Sequence, residues 1–266
     1  MFYILTTFIF IFGLIVGSFL NVVILRYNTG KSLGGRSGCM SCLSKLTYKD
    51  LFPVFSYVYL KGKCRKCGSK ISIQYPLVEL ATAFSFLAIF LKFSDSLDLV
   101  SIIFFFIVFA LFIVIFVYDI YHKIIPNGLA YTLAGLALIY RLFLTPFSNI
   151  ELIHVLDLLS GFIIFTPFFL LWLISRGRWI GLGDAKLVLS IGWFLGIIYG
   201  VSAIIIAFWI GAVVSILILL IFRLKHGGKH ITMKSEIPFA PFLIIGFIIA
   251  FFYQIDVLQL GLFFLI

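Results

Sequence analysis

The chain has 266 residues, 63% of them hydrophobic and only 11% charged, with a mean hydropathy of +1.23. That balance excludes a soluble globular fold and points to an all-α polytopic membrane protein. The formal net charge of +10 suggests nucleic acid as a partner, but in a membrane protein basic residues first report which loops face the cytoplasm.

A helix needs about 20 apolar residues to cross the hydrocarbon core. Eight segments meet that need in chain order: 2–25, 76–92, 99–118, 125–142, 156–175, 185–199, 201–222 and 238–260. The first run has no basic residue before Arg26 and no small-residue cleavage site, so it reads as a retained span rather than a signal peptide. The sixth and seventh spans share one uncharged run, Leu187 to Phe222, which is too long for a single crossing and is divided near Gly200. Leaving that run whole gives seven spans. The distribution of charge separates the two counts. With loop 26–75 in the cytoplasm and eight alternating spans, 18 of the 20 Lys and Arg residues are cytoplasmic, and only Lys92 and Arg141 are outside. Seven spans would place Arg223, Lys225, Lys229 and Lys234 outside as well. Eight spans are therefore expected, with both termini outside.

Loop 26–75 is too long for a simple connector and reads as a small cytoplasmic domain. It holds all four cysteines, as Cys39-Met40-Ser41-Cys42 and Cys64-Arg65-Lys66-Cys67. Two C-x2-C pairs at this separation fit a zinc-ribbon spacing. The competing reading, two disulfides, is disfavoured in the reducing cytoplasm. Four thiolates leave no open coordination position, so the expected zinc is structural, and a loop with so little core can depend on metal to fold. The loop lacks a nucleic-acid reading motif, and topology already accounts for its basic residues.

Two acids stand out at helix ends. Asp119 closes the third span, and Asp184, in Gly181-Leu182-Gly183-Asp184, opens the sixth. The topology puts both at the cytoplasmic face. An ionisable group at such a position is expensive and signals function. Two neighbouring carboxyls share a proton, so one can activate water while the other polarises a carbonyl. This chemistry would suit peptide hydrolysis. The same pair would suit the proton relay of a proton-coupled transporter, and the residues also permit plain salt bridges, Asp184 with Lys186 or Asp119 with Lys123.

The motifs taken together favour one of these. Gly17-Ser18-Phe19-Leu20-Asn21, Tyr75-Pro76-Leu77-Val78-Glu79, Asp119 with Lys123-Ile124-Ile125-Pro126-Asn127, the Gly181–Lys186 segment and Ile237-Pro238-Phe239-Ala240-Pro241-Phe242 occur in order. With the cysteine loop, they resemble the type IV prepilin peptidase family, whose GxGD element is also similar to that of presenilin-type proteases. The resemblance implies a bacterial inner-membrane aspartyl endopeptidase with Asp119 and Asp184 catalytic at the cytoplasmic face. Its substrates would be type IV prepilins or type II secretion pseudopilins, cut after a basic leader and before phenylalanine. Many members also methylate the new N-terminus with S-adenosylmethionine, and the cysteine domain makes that activity an expectation here. The implied division is a first transmembrane helix over 1–25, a tetracysteine domain tied to methyl transfer over 26–75, and a transmembrane peptidase domain over 76–266. One departure is Lys49-Asp50-Leu51-Phe52-Pro53, where some relatives carry Asp-Asn-Ile-Pro.

Other residues keep two readings. Gly17, Ser18 and Asn21 can simply let helices pack closely, or they can touch a substrate. Glu79 can pair with a loop lysine, or it can position a substrate amine or the methyl donor. Lys186 reads as an interfacial anchor. Pro238 and Pro241 shape a helix start or open backbone groups toward a substrate. The four histidines form no metal-site spacing. No glycine-rich nucleotide fingerprint marks residues for the methyl donor.

Overall fold

A computed structural model of the chain describes residues 2–30, 32–94, 98–144, 152–226 and 237–259. Lys31, Lys229 and Lys234 of the charge count, His230, and the last residue of segment 238–260 lie outside the described residues. Everything regular among the described residues is helical, apart from two isolated β-bridges in the cysteine loop, Gly38 with Lys45 and Lys63 with Lys70. In hydrocarbon each backbone N–H and C=O must find its partner within the segment, which is why apolar runs this long become helices. Among the described residues, six helices are long and apolar enough to cross a membrane. The chain divides into two compact units, Met1–Val114 and Ile115–Ile266.

In the first unit α1 (Phe2–Arg26) packs along α3 (Gln74–Lys92). Between them lies the loop, with a short 3-10 turn at Tyr48–Asp50 and the five-residue α2 (Phe55–Tyr59). Gly13 and Gly17, one helical turn apart on α1, let the backbones meet. A Cβ on Gly13 would lie 2.6 Å from Ala83 Cα, and one on Gly17 would lie 2.6 Å from Glu79 Cα. This is the small-residue contact that drives helix association in lipid, where apolar area alone contributes little. Farther along, Ile9, Phe86 and Phe90 of this pair form a buried cluster with Ile102 of the next helix. Phe86 stacks on Phe106 of α4 (Leu99–His122) with ring centroids 4.1 Å apart.

The second unit takes the end of α4, then α5 (Asn127–Ile139, continued by a wide turn over Tyr140–Leu144), α6 (Leu152–Ser175), α7 (Leu182–His226) and α8 (Ala240–Tyr253). α5, α6 and α8 all pack on α7. As one straight rod, the 45 residues of α7 would be about 68 Å long, roughly twice the hydrocarbon thickness. They are not straight. The helix breaks at Gly196, with φ 75° and ψ −175°, a conformation essentially restricted to glycine. A Cβ on Gly200 would lie 3.4 Å from Gly192 Cα, so the arms on either side of Gly196 run back along one another. The reversal comes four residues before the division expected at Gly200. Gly200 is instead a contact glycine, facing Gly192 and Ile164.

The bend is capped from within. Ile197, the first residue of the second arm, donates its N–H to Asp157 Oδ1 at 2.9 Å, and Asp157 also pairs with the buried Arg141. The first arm packs on α6 through glycine: Gly192 meets Gly161, and the Ser160 hydroxyl donates to the Gly192 carbonyl at 2.7 Å. A Cβ at position 196 would sit 2.5 Å from Asp157 Oδ1. Gly196→Ala is therefore expected to destabilise the protein by about 1–3 kcal/mol, the cost of a forced backbone conformation. A lowered Tm of the purified protein in detergent would register it, and an unchanged Tm would contradict the bend.

Candidate active site and metal centre

The end of α4 and the start of α7 carry the two acids. α4 stops because Lys123 takes the left-handed conformation, φ 54°, with its N–H still bonded to the Asp119 carbonyl at 2.7 Å. Ile124 and Ile125 then lead to Pro126, whose fixed φ of −62° suits the residue that caps α5. Ile125 is buried and lies against Gly183, where a Cβ would come 2.9 Å from the Ile125 Cβ. A glycine at 183 therefore lets the start of α7 settle onto this turn. Three positions on, Lys186 donates to Asn127 Oδ1 at 2.7 Å and lies 4.4 Å from the Tyr131 ring centre. The Lys123–Asn127 and Gly181–Lys186 segments are thus joined by one apolar contact and one hydrogen bond.

Asp184 lies in the first turn of α7, where it accepts the Gly181 N–H and has Asp119 as a charged neighbour. An acid in the first turn reaching back to the helix cap satisfies a backbone donor that has no helical partner. Asp119 is 4% exposed, and its Oδ2 accepts the N–H of Ala240, the first residue of α8, at 3.2 Å. Both carboxyls are therefore held by backbone donors at helix N-termini, where negative charge is favoured. Neither forms an ion pair among the described residues, so the Asp184–Lys186 and Asp119–Lys123 bridges do not form; Lys186 engages Asn127 instead. Beside Ala240, an apolar groove opens between the second arm of α7 and α8, lined by Phe208, Gly211, Ser215, Ile237, Phe239 and Phe242.

Sequence reading overlooked the Ala240 N–H. Ala240 has no reactive side chain, and its role depends on the neighbouring Pro238-Phe239 turn aiming a backbone group at a residue 121 positions away. It likewise overlooked Asn127 as the partner of Lys186. A lysine two residues after an acid suggests the acid as its mate, although i and i+2 point to different faces of a helix.

The cysteine loop, in the first unit, consists of two matching knuckles. In each, the first cysteine donates its N–H to a carbonyl five residues on, Cys39 to Ser44 at 3.0 Å and Cys64 to Ser69 at 2.8 Å, and a β-bridge flanks the pair. The residue four positions after the first cysteine has positive φ, 54° at Leu43 and 68° at Gly68. All four sulfurs lie within 4.8 Å of one another, and no disulfide links them. Cys39 and Cys67 are 3.9 Å apart; tetrahedral zinc with bonds of about 2.3 Å needs sulfurs about 3.8 Å apart. Hydrogen bonds from the backbone N–H groups of Cys42 and Ser41, then from Ser69, lower the Cys39 thiol to about 6. That lowering favours the thiolate that a metal requires. Asp50 ties the knuckles together: it accepts the Thr47 hydroxyl at 2.6 Å and pairs with Arg65, between the second pair of cysteines, at 2.8 Å. This is the segment that departs from the Asp-Asn-Ile-Pro pattern, and its acid still bridges the two knuckles.

Residues 104–216, which include both acids, match the type IV leader peptidase family, and residues 11–93 match the bacterial peptidase A24 N-terminal domain. A prepilin leader peptidase/N-methyltransferase of Bacillus subtilis is 34% identical over 252 residues, covering 92% of this chain and 93% of that protein. The chain belongs to the type IV leader peptidase family. A relative of the same name from Vibrio cholerae is 33% identical over 261 residues, covering 91% of this chain and 94% of its own. No solved structure matches the chain. Within this leader-peptidase fold, the Gly183–Ile125 contact seats the second acid. Gly183→Val is expected to lift the start of α7 and destabilise the protein by about 1–3 kcal/mol, as overpacking does. Adding Ile125→Ala should restore much of the lost Tm; no recovery in the double variant would contradict the contact.

Proposed function

We propose that this chain is a prepilin leader peptidase that also methylates the N-terminus it exposes, with Asp119 and Asp184 as the aspartyl dyad. The observation that carries the reading is the joint placement of the two carboxyls on backbone donors, without a basic partner, in a chain that belongs to this family. A carboxyl neutralised by lysine would be a poor proton acceptor. Two acids sharing a proton can instead take a proton from water as it attacks the peptide carbonyl and return one to the leaving amine. The pair titrates as a unit, so neither residue holds a fixed acid or base role.

The substrate is the leader junction of a type IV prepilin or pseudopilin embedded in the bilayer. The groove beside Ala240 has the apolar, aromatic lining that such a helix would need. The charge distribution of the loops supports a position for the dyad and the cysteine domain at the cytoplasmic face of the inner membrane, where a basic leader would be cut. The four cysteines hold structural zinc, because four sulfurs gathered within 4.8 Å of one another can complete its coordination. S-adenosylmethionine, the methyl donor that the relatives' N-methyltransferase name implies, supplies an electrophilic methyl group when bound. The division at 1–25, 26–75 and 76–266 is kept as a functional one. A proton-coupled transporter is the reading these relatives do not support.

Asp119→Asn and Asp184→Asn should each reduce prepilin cleavage by about 10²–10⁴-fold, the usual contribution of a positioned acid or base, with Tm little changed. Normal processing by either variant would remove that residue from the dyad. Cys39→Ser should lower the zinc measured per chain by elemental mass spectrometry and weaken methylation more than cleavage. Full zinc occupancy in that variant would exclude Cys39 as a ligand.

A further inference from the structure

The first unit contains a polar niche that the peptidase chemistry does not use. Glu79, one turn into α3, is 6% exposed, yet it has no lysine or arginine partner among the described residues. Its Oε2 accepts the Val54 N–H at 2.7 Å, and its carboxylate also accepts the Ser18 hydroxyl. Val54 has φ 60° and ψ −50°, and the Phe55 N–H bonds back to the Pro53 carbonyl at 2.6 Å. That is the strained, rare form of the γ-turn, at a β-branched residue for which positive φ is a true outlier. Strain of this kind persists only where the surroundings enforce it, and it is concentrated at functional sites.

One turn away on each helix, Asn21 is 1% exposed. Its Nδ2 donates to the Tyr75 carbonyl at 3.1 Å and to the Gly17 carbonyl at 3.3 Å, while its Oδ1 is buried with no partner. Next to Tyr75, the Gln74 Nε2 is a buried donor, also without a partner. Because α1 and α3 pack through Gly17 against Glu79, Asn21 and Ser18 face Tyr75 and Glu79 across one contact. The niche thus offers an unused amide oxygen and a carboxylate with spare lone pairs. Leaving such groups unmatched in a dry site is unfavourable. What they lack is a cation that donates N–H bonds.

We propose that Asn21, Ser18 and Glu79 form a binding site for the primary ammonium of an α-aminoacyl head group, held by Glu79 and the Asn21 oxygen. This rests on the methyl-transfer reading above and gives it a location. Two molecules in that reaction carry the head group, the freed N-terminus of a cleaved pilin and the amino-acid end of S-adenosylmethionine. The two acids of the dyad belong to the second unit and the niche to the first, so its loss should spare the peptidase.

The test uses the full-length protein in detergent, with phenylalaninamide, N-acetylphenylalaninamide and S-adenosylmethionine as probes and the shift in Tm as the readout. Wild type should be stabilised by phenylalaninamide or by S-adenosylmethionine, and not by the acetylated compound, which lacks the ammonium. Glu79→Gln, which preserves size, and Asn21→Ala should each weaken the stabilising probe at least tenfold. Cleavage of a prepilin should stay within about twofold, which reports that both variants are folded. Stabilisation by phenylalaninamide identifies the substrate N-terminus as occupant, and stabilisation by S-adenosylmethionine identifies the methyl donor. Shifts that persist in both folded variants, equal shifts with the acetylated compound, or no shift with any probe would overturn the site. Failure of wild type to cut prepilin would overturn the peptidase reading separately, because the Tm shifts do not depend on cleavage.

Discussion

A carboxyl group at the edge of hydrocarbon needs a donor, and in this chain the backbone provides it. The Ala240 N–H holds Asp119, and the Gly181 N–H holds Asp184. Both come from helix N-termini, where the first N–H groups have no helical acceptor. A lysine in either place would satisfy the charge but occupy the proton acceptor. Backbone donors support the charge and leave the oxygens able to exchange protons. Much of the second unit follows from that requirement: α7 and α8 must both begin beside the end of α4. The proline-bordered start of α8 and the glycine-bordered start of α7 make those approaches sterically possible.

Glycine does different work at different places along α7. At 183 it makes room for Ile125, at 192 and 200 it lets neighbouring helices touch, and at 196 it supplies a backbone conformation closed to other residues. The Asp157–Arg141 pair then caps the arm that begins after the bend. Ion pairs in a low-dielectric setting stabilise little on balance, because desolvation offsets their attraction. This one is better understood as fixing where the chain turns, since the same carboxylate also takes the freed Ile197 N–H.

The sequence was most informative where chemistry restricts spacing. Two C-x2-C pairs can present four sulfurs to one ion in few ways, and the sulfurs do gather within 4.8 Å. The apolar runs were equally legible, because lipid permits little besides helix. The site of reversal in α7 was not: Gly192, Gly196 and Gly200 read alike, and only the backbone reveals which one turns and which two touch. Backbone donors were hidden for a related reason. Neither the Ala240 N–H nor the Val54 N–H is announced by its side chain, and valine is among the last residues to expect in a γ-turn with positive φ. Asn127 was visible as part of a motif, but its pairing with Lys186 spans 59 positions and exists only once Gly183 has settled on Ile125.

The central claim is that one chain both removes a leader and modifies the end it exposes. It is tested most directly by intact-mass spectrometry of a cognate prepilin incubated with the purified protein, with and without S-adenosylmethionine. The account predicts loss of the basic leader in both reactions, and a single added methyl on the new N-terminal residue only when the donor is present. A prepilin that stays intact alongside folded protein would contradict it.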